Sequence, residues 1–405
     1  MKSHLKIVVA GEVDAGKSSL IGRFLFEMDA LMQGAISEME SICSSLGREL
    51  ELAYLLDSLE EERKEELTID TTQVFCKGKI GNGFLFIDVP GHRELFKNML
   101  CGSAYADMAI LVIDIKKAIE EGTKRHISAL NFLQINKIII VLNKMDTVDF
   151  DKNVFLDAKA RISKYFKGIG IAPLFFIPVC AKQGDNLVKR SKRMPWYKDL
   201  PLYAAVDKIN KRFGKKEKGE FYFPIQDTYF LKGEKVLPGT VLEGKIKKGE
   251  TVKALPLNKE FKIKGIRVFD RFKGQARKNE SVGLIIDDAF GLGRGQVLFK
   301  KDAPKLSTEI KAKIFCVSPL SMGDRFLFKC LSQSAPASIK QINKIVNTAD
   351  SSSRQITDNL LPLDVAEVVI ATEGPVVVKK FKQLNPLGRF VLQAGLGISA
   401  AGIVI

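Results

Sequence analysis

An apolar run, Leu5–Ala10, passes directly into Gly11-Glu12-Val13-Asp14-Ala15-Gly16-Lys17-Ser18 and then into the helical start Ser19-Leu20-Ile21. This G-x-x-x-x-G-K-S spacing constrains the chain more than any other feature. The glycines let backbone N–H groups wrap a phosphate chain, the lysine reaches the outer phosphates, and the serine hydroxyl suits magnesium. Such a loop works between the carboxyl end of a buried strand and the amino end of a helix, so it predicts an open α/β sheet.

The remainder of the first half fits that sheet. Short apolar runs at 84–87, 108–113, 137–142 and 174–179 have the continuous hydrophobicity of parallel strands covered on both faces. Helical spacing at 92–106, 123–132, 155–166 and 202–213 alternates with them, and one or two amphipathic helices are expected between Phe26 and Thr68. Near Lys211-Arg212-Phe213-Gly214-Lys215-Lys216 the pattern changes. Short β-type runs follow at 240–246, 250–257, 261–269, 281–286 and 296–299, then, after a break near 302–306, at 310–317, 326–331, 338–346, 365–371, 375–381, 388–392 and 402–405. The expected fold is a doubly wound, mostly parallel α/β P-loop domain over 1–212, followed by two all-β barrel domains over 219–303 and 306–405.

Charge is regional within the net +16. Residues 151–300 hold 33 basic and 16 acidic side chains, whereas residues 1–150 hold 17 and 23. A cationic middle suits nucleic acid or an acidic protein, and scattered solvated lysines give the same count. Six cysteines lie without C-x-x-C or other metal-ligand spacing, which predicts reduced thiols, no structural zinc and a cytoplasmic location. No apolar run approaches the roughly 20 residues needed to span a bilayer, so no membrane association is expected.

Four further segments surround the phosphate loop. Asn143-Lys144-Met145-Asp146 follows the buried run 138–142. Asp146 can accept both the N1–H and N2–H of guanine, Asn143 can tie this loop to the phosphate loop, and the Lys144 stem can cover the base. Asp88-Val89-Pro90-Gly91-His92 follows the run 84–87: Asp88 can hold magnesium through water, the Gly91 N–H can sense the outer phosphate, and His92 can orient an attacking water. Thr68 can offer magnesium a second hydroxyl. Cys180-Ala181-Lys182 follows the run 175–179, where the Ala181 N–H can meet guanine O6. The candidate catalytic residues are therefore His92, Lys17 and Thr68, and the candidate metal ligands Ser18, Thr68 and Asp88. The candidate nucleotide contacts are Gly11, Asp14, Ala15, Gly16, Lys17, Ser18, Ser19, Asp88, Gly91, Asn143, Lys144, Asp146, Cys180, Ala181 and Lys182.

At these motifs the chain resembles the translation-factor superfamily of GTPases over nearly its whole length. Thr68-Ile69-Asp70 resembles the family's switch-one T-I-D, Pro224-Ile225-Gln226-Asp227 the opening of its second barrel, and Leu387-Gly388-Arg389-Phe390 the L-G-R-F of its third. The resemblance implies GTP and Mg2+ as cofactors, low basal turnover and switch segments ordered by GTP. Two branches compete: elongation factors that bind aminoacyl-tRNA and the ribosome, and the GTPase (large) subunit of bacterial sulfate adenylyltransferase. The segments 20–23, 280–288, 294–298 and 366–370 look more like the second. That branch implies a heteromer with an adenylyl-transferring catalytic subunit, in which GTP hydrolysis drives adenylyl transfer from ATP to sulfate. Three departures stand out: Glu66-Leu67 in place of Gly-Ile, Glu12 where a neutral or histidine side chain is usual, and Cys180 where a serine normally braces the guanine-reading aspartate. Altered switching and weakened nucleotide affinity are the expected consequences.

Overall fold

The computed structural model describes residues 4–28, 72–78, 83–89, 106–212, 219–231, 233–269, 271–286, 289–347, 353–395 and 397–405. The chain divides into two compact units, His4–Phe213 and Gly214–Ile405. Thr68, Gly91, His92 and all but the ends of the segments expected as helices at 26–68 and 92–106 lie outside the described residues.

The first unit is an α/β layer structure. Its strands are β1 (Leu5–Ala10), β2 (Thr72–Lys77), β3 (Gly83–Asp88), β4 (Met108–Asp114), β5 (Ile138–Asn143) and β6 (Phe175–Pro178), in the order β2-β3-β1-β4-β5-β6. Only β2 runs antiparallel to its neighbour. The central strands β4 and β5 are buried at every position, the reason their sequences are unbroken apolar runs.

Helix α1 (Lys17–Glu27) leaves the phosphate loop with Leu20, Ile21, Phe24 and Leu25 turned to the sheet. It is followed by α2 (Glu121–Phe132), α3 (Lys152–Gly168) and α4 (Leu202–Arg212). Helix α3 shows how local sequence sets an element. The Asp151 side chain accepts from the Asn153 and Val154 N–H groups, capping donors that have no partner inside the helix. Phe155, Ala158, Ile162 and Phe166 then recur every three or four residues and are buried.

The second unit is all β. Strands Arg325–Cys330, Arg389–Ala394, Gly397–Val404, Lys305–Cys316, Asp364–Val378 and Gln333–Asn347 pair in that order, and the last pairs with the first, closing a six-stranded barrel around Ile314, Phe328, Ile370 and Leu392. Preceding it is a sheet of eight strands from Tyr222–Pro224 to Val297–Phe299, with Phe223, Leu237, Ile266 and Leu284 in its interior. A third apolar cluster, including Tyr222, Val297, Phe299, Val377 and Leu387, joins the two β cores.

Two expectations about elements are corrected, and one strand was not read. Strand β2 lies at the sheet edge with Gln73 and Phe75 exposed, so it carries no unbroken apolar run. No strand covers 240–246: the chain bends between strands Glu234–Thr240 and Lys245–Lys247, with Gly244 at φ 66°. The segments 365–371 and 375–381 belong mostly to one strand, Asp364–Val378. Its Gly374-Pro375 reads as a turn but forms a bulge opposite Thr308, where the pairing jumps from Glu309–Ala371 to Ser307–Val376.

Candidate functional site

The carboxyl ends of β1, β3, β4, β5 and β6 carry the site, the edge at which ligands gather in open α/β sheets. Gly11 closes β1. Asp14, exposed, takes a left-handed turn at φ 58°, and Gly16 another at φ 86° where α1 begins. A Cβ on Gly16 would sit 2.4 Å from Asn143 Nδ2, so glycine is demanded here by both backbone and neighbour.

Lys17 is buried, and its Nζ donates to the Glu12 carbonyl at 2.9 Å. Burial lowers the Lys17 pKa, while the nearby Asp88, Asp14 and Glu12 charges oppose that shift. The Ser18 hydroxyl donates to Asp88 Oδ2 at 2.8 Å, bringing the two described candidate metal ligands together from α1 and β3. Ser19 is half-buried on α1 beside them.

Asn143 joins three segments. Its Nδ2 donates to the Ala15 carbonyl at 2.8 Å, and its Oδ1 accepts the Ala181 N–H at 2.9 Å. The first bond is the tie to the phosphate loop expected from sequence. The second directs the Ala181 N–H, which the sequence reading aims at guanine O6, to Asn143 Oδ1.

Lys144 adopts φ 62° and its Nζ pairs with Asp114 Oδ2 at 3.0 Å, across the Asp114–Asn143 register of β4 and β5. Asp146 is exposed, and its Oδ1 accepts from Cys180 Sγ at 3.1 Å. The Cys180 carbonyl in turn accepts the N–H groups of Gln183, Gly184 and Asp185, which folds the loop back beneath Asp146. Lys182 stands exposed on this loop. The thiol therefore supplies the same kind of bond a serine hydroxyl would. Burial, then the bond to Asp146, push its pKa up to about 12, so it stays protonated and able to donate.

Several participants escaped sequence reasoning. Asp114, at the carboxyl edge of β4, could have been found from its position alone. His126 on α2 is buried close enough to Lys17 to feel its charge, and Glu12 reaches α2. Both depend on α2 packing beside the phosphate loop, which no local pattern signals.

The site is a phosphate loop, a carboxylate–hydroxyl pair of hard oxygen donors and an Asn-Lys-x-Asp loop braced from β6, the arrangement of a P-loop GTP-binding domain. Residues 2–245 match the family model of the elongation factor Tu GTP-binding domain, and residues 309–405 match the GTP-eEF1A C-terminal domain-like model. The chain belongs to this family of GTP-binding proteins. It is 31% identical over its full length to the sulfate adenylyltransferase subunit 1 of Alteromonas mediterranea, covering 87% of that protein. It is 32% identical over 99% of its length to the elongation factor 1-alpha of Methanoculleus marisnigri, covering 97% of it. The fold is also that of the Saccharomyces cerevisiae Ski7 GTPase-like domain solved with GTP, with a TM-score of 0.63, 17% identity and coverage of 100% and 97% of the two chains.

Proposed function

We propose that the protein is a magnesium-dependent GTPase acting as the GTP-hydrolysing subunit of a sulfate adenylyltransferase, with a separate adenylyl-transferring subunit as partner. The observation that carries the nucleotide part is the Asn143 bridge, which holds the phosphate loop and the base-reading loop in one hydrogen-bonded frame. Lys17 would neutralise the outer phosphates, and Asp146, oriented by Cys180, would read guanine. Ser18, Asp88 and Thr68 would hold Mg2+, a cation that favours such oxygen ligands. Bound there, the ion supplies neutralisation of phosphate charge. His92 would orient the water that attacks the γ-phosphate, and GTP would order the segments around Thr68 and Gly91. Support for the adenylyltransferase branch comes from the likeness at 280–288 and 294–298 and from the full-length match to the Alteromonas subunit.

A second reading, an elongation-factor-like GTPase that binds aminoacyl-tRNA, has its own observation. A cleft of about 670 Å³ in the β unit is lined by Lys305, Lys311, Lys340, Lys379 and Lys380. Such a basic lining suits phosphate backbones, although Lys340 and Lys379 are already paired with Glu309 and Asp302.

GTP hydrolysis by the purified chain separates the two. Stimulation by the cognate adenylyl-transferring subunit with ATP and sulfate, with adenylyl sulfate formed in proportion to GTP consumed, supports the first. Stimulation by ribosomes and aminoacyl-tRNA alone overturns it in favour of the second.

A further inference from the structure

Glu12 sits in the middle of the phosphate loop, where a carboxylate pointing at phosphates would repel them. The structure turns it aside. Its Oε1 accepts the Thr123 N–H at 2.8 Å, a contact between residues 111 apart in sequence. Thr123 lies in the first turn of α2, whose N-cap Glu120 makes no side-chain cap of its own. The N–H groups of a first turn have no acceptor inside the helix, and a helix amino end favours negative charge. Glu12 therefore supplies from the phosphate loop the cap that α2 lacks locally.

The contact is close. A Cβ built on Gly122 would lie 2.1 Å from Glu12 Oε1, so the carboxylate occupies space that only glycine leaves open. At the other end of the same residue, the Glu12 carbonyl holds Lys17 Nζ. One residue thus anchors the phosphate-reaching lysine through its backbone and the neighbouring helix through its side chain.

We infer that Glu12 is a positioning residue of the phosphate loop: its carboxylate, docked on the amino end of α2, holds the loop in shape and keeps its own charge away from bound phosphates. This rests on the guanine-nucleotide reading of the site and goes beyond it, because it makes nucleotide retention depend on the first turn of a helix outside the sequence motifs. Burial raises the Glu12 pKa, the Thr123 bond lowers it, the Glu120 carboxyl hydrogen-bonded to it raises it again, and Lys117 lowers it.

The test is the release rate of fluorescent mant-GDP from the full-length chain and four variants. Glu12→Ala removes both tie and charge and should speed release about 5-fold, the net worth of one ordinary hydrogen bond of about 1 kcal/mol. Gly122→Ala displaces the carboxylate but leaves its charge beside the phosphates, and should speed release more, on the order of 10-fold or above. The double variant Glu12→Ala/Gly122→Ala should return to the Glu12→Ala rate, because the repelling group is gone. Glu12→Gln, whose amide oxygen can still accept from Thr123, should recover most of the loss. Hydrogen exchange at the Thr123 amide should be slow in the wild type and Glu12→Gln and faster in Glu12→Ala and Gly122→Ala.

A merely structural role for Gly122 predicts that the double variant is worse than either single one. That result overturns the inference, as does wild-type release from both single variants while the wild type binds mant-GDP. A wild-type chain that does not bind mant-GDP overturns the nucleotide reading itself, and the inference falls with it.

Discussion

Cys180 Sγ lies 3.1 Å from Asp146 Oδ1 and donates to it, so the thiol braces the Asp146 carboxylate as a serine hydroxyl would. Cys180→Ala should weaken guanine-nucleotide affinity about 3- to 10-fold in a fluorescence titration, since one hydrogen bond of roughly 1 kcal/mol is removed. Cys180→Ser should bind at least as tightly as the wild type. With a thiol pKa near 12, wild-type affinity should show no Cys180 titration between pH 6 and 9.

On the proposed reading, Asp146 would present an acceptor to the guanine base. Asp146→Asn converts one carboxylate oxygen into an amide donor and should shift preference from GTP toward xanthosine triphosphate. Unchanged selectivity between the two nucleotides in competition binding would remove Asp146 from base recognition.

Asn143→Ala breaks both ties of the bridge and strands the Ala15 carbonyl and the Ala181 N–H in a buried setting. Leaving buried polar groups unpaired costs about 1–3 kcal/mol each. The unfolding free energy of the nucleotide-binding unit should fall by roughly 2–4 kcal/mol in urea denaturation, with loss of nucleotide binding. A destabilisation under about 0.5 kcal/mol would show that water replaces both partners.

His126 is buried on α2, and burial first, then the Lys17 and Arg125 charges, lower its pKa from 6.5 to about 3. The folded state therefore resists a proton that the unfolded chain accepts below pH 6.5. Stability carried by neutral His126 is fully present above that value and is lost as pH falls toward 3, by up to about 1.4 kcal/mol per pH unit. His126→Gln should flatten the stability–pH curve between pH 6.5 and 5 relative to the wild type. Parallel curves would show that another group takes up the proton.

In the β unit, the buried Lys379 donates to both Tyr222 Oη and Asp302 Oδ2, and Tyr222 Oη lies 2.8 Å from the same carboxylate. Lys379, first, and Tyr222 hold the Asp302 carboxyl below its usual range. Lys379→Met should destabilise the unit by about 1–2 kcal/mol, less than for a fully buried pair because the Asp302 side chain is 59% exposed. The contribution is present above the ordinary carboxylate pKa and should fade as pH drops below it. Adding Asp302→Asn should recover part of the loss, a coupling readable in a double-mutant cycle.

Much of the first unit was legible because its central strands are buried on both faces. β1, β3, β4, β5 and β6 are apolar runs with few alternative readings, and each motif falls where such a strand ends. The β unit was less readable. Strands Tyr229–Leu231 and Glu234–Thr240 and the bulge at Gly374-Pro375 depend on which neighbour supplies the hydrogen bonds, and pairing partners lie far away in sequence.

The residue types of the site were set by the sequence alone: a lysine and serine at the start of α1, an aspartate ending β3, and an Asn-Lys-x-Asp run that begins at the last residue of β5. Their placement on one sheet edge followed from strand–helix alternation, because parallel strands bring their carboxyl ends together. What only the tertiary structure decided is how these groups hold one another. Asn143 took the Ala181 N–H, Cys180 kept the role of a serine, and Glu12 turned toward α2 rather than toward the phosphates. Each of these outcomes is a contest between donors and acceptors from different segments, settled by which partner lies within hydrogen-bond reach once the sheet is packed.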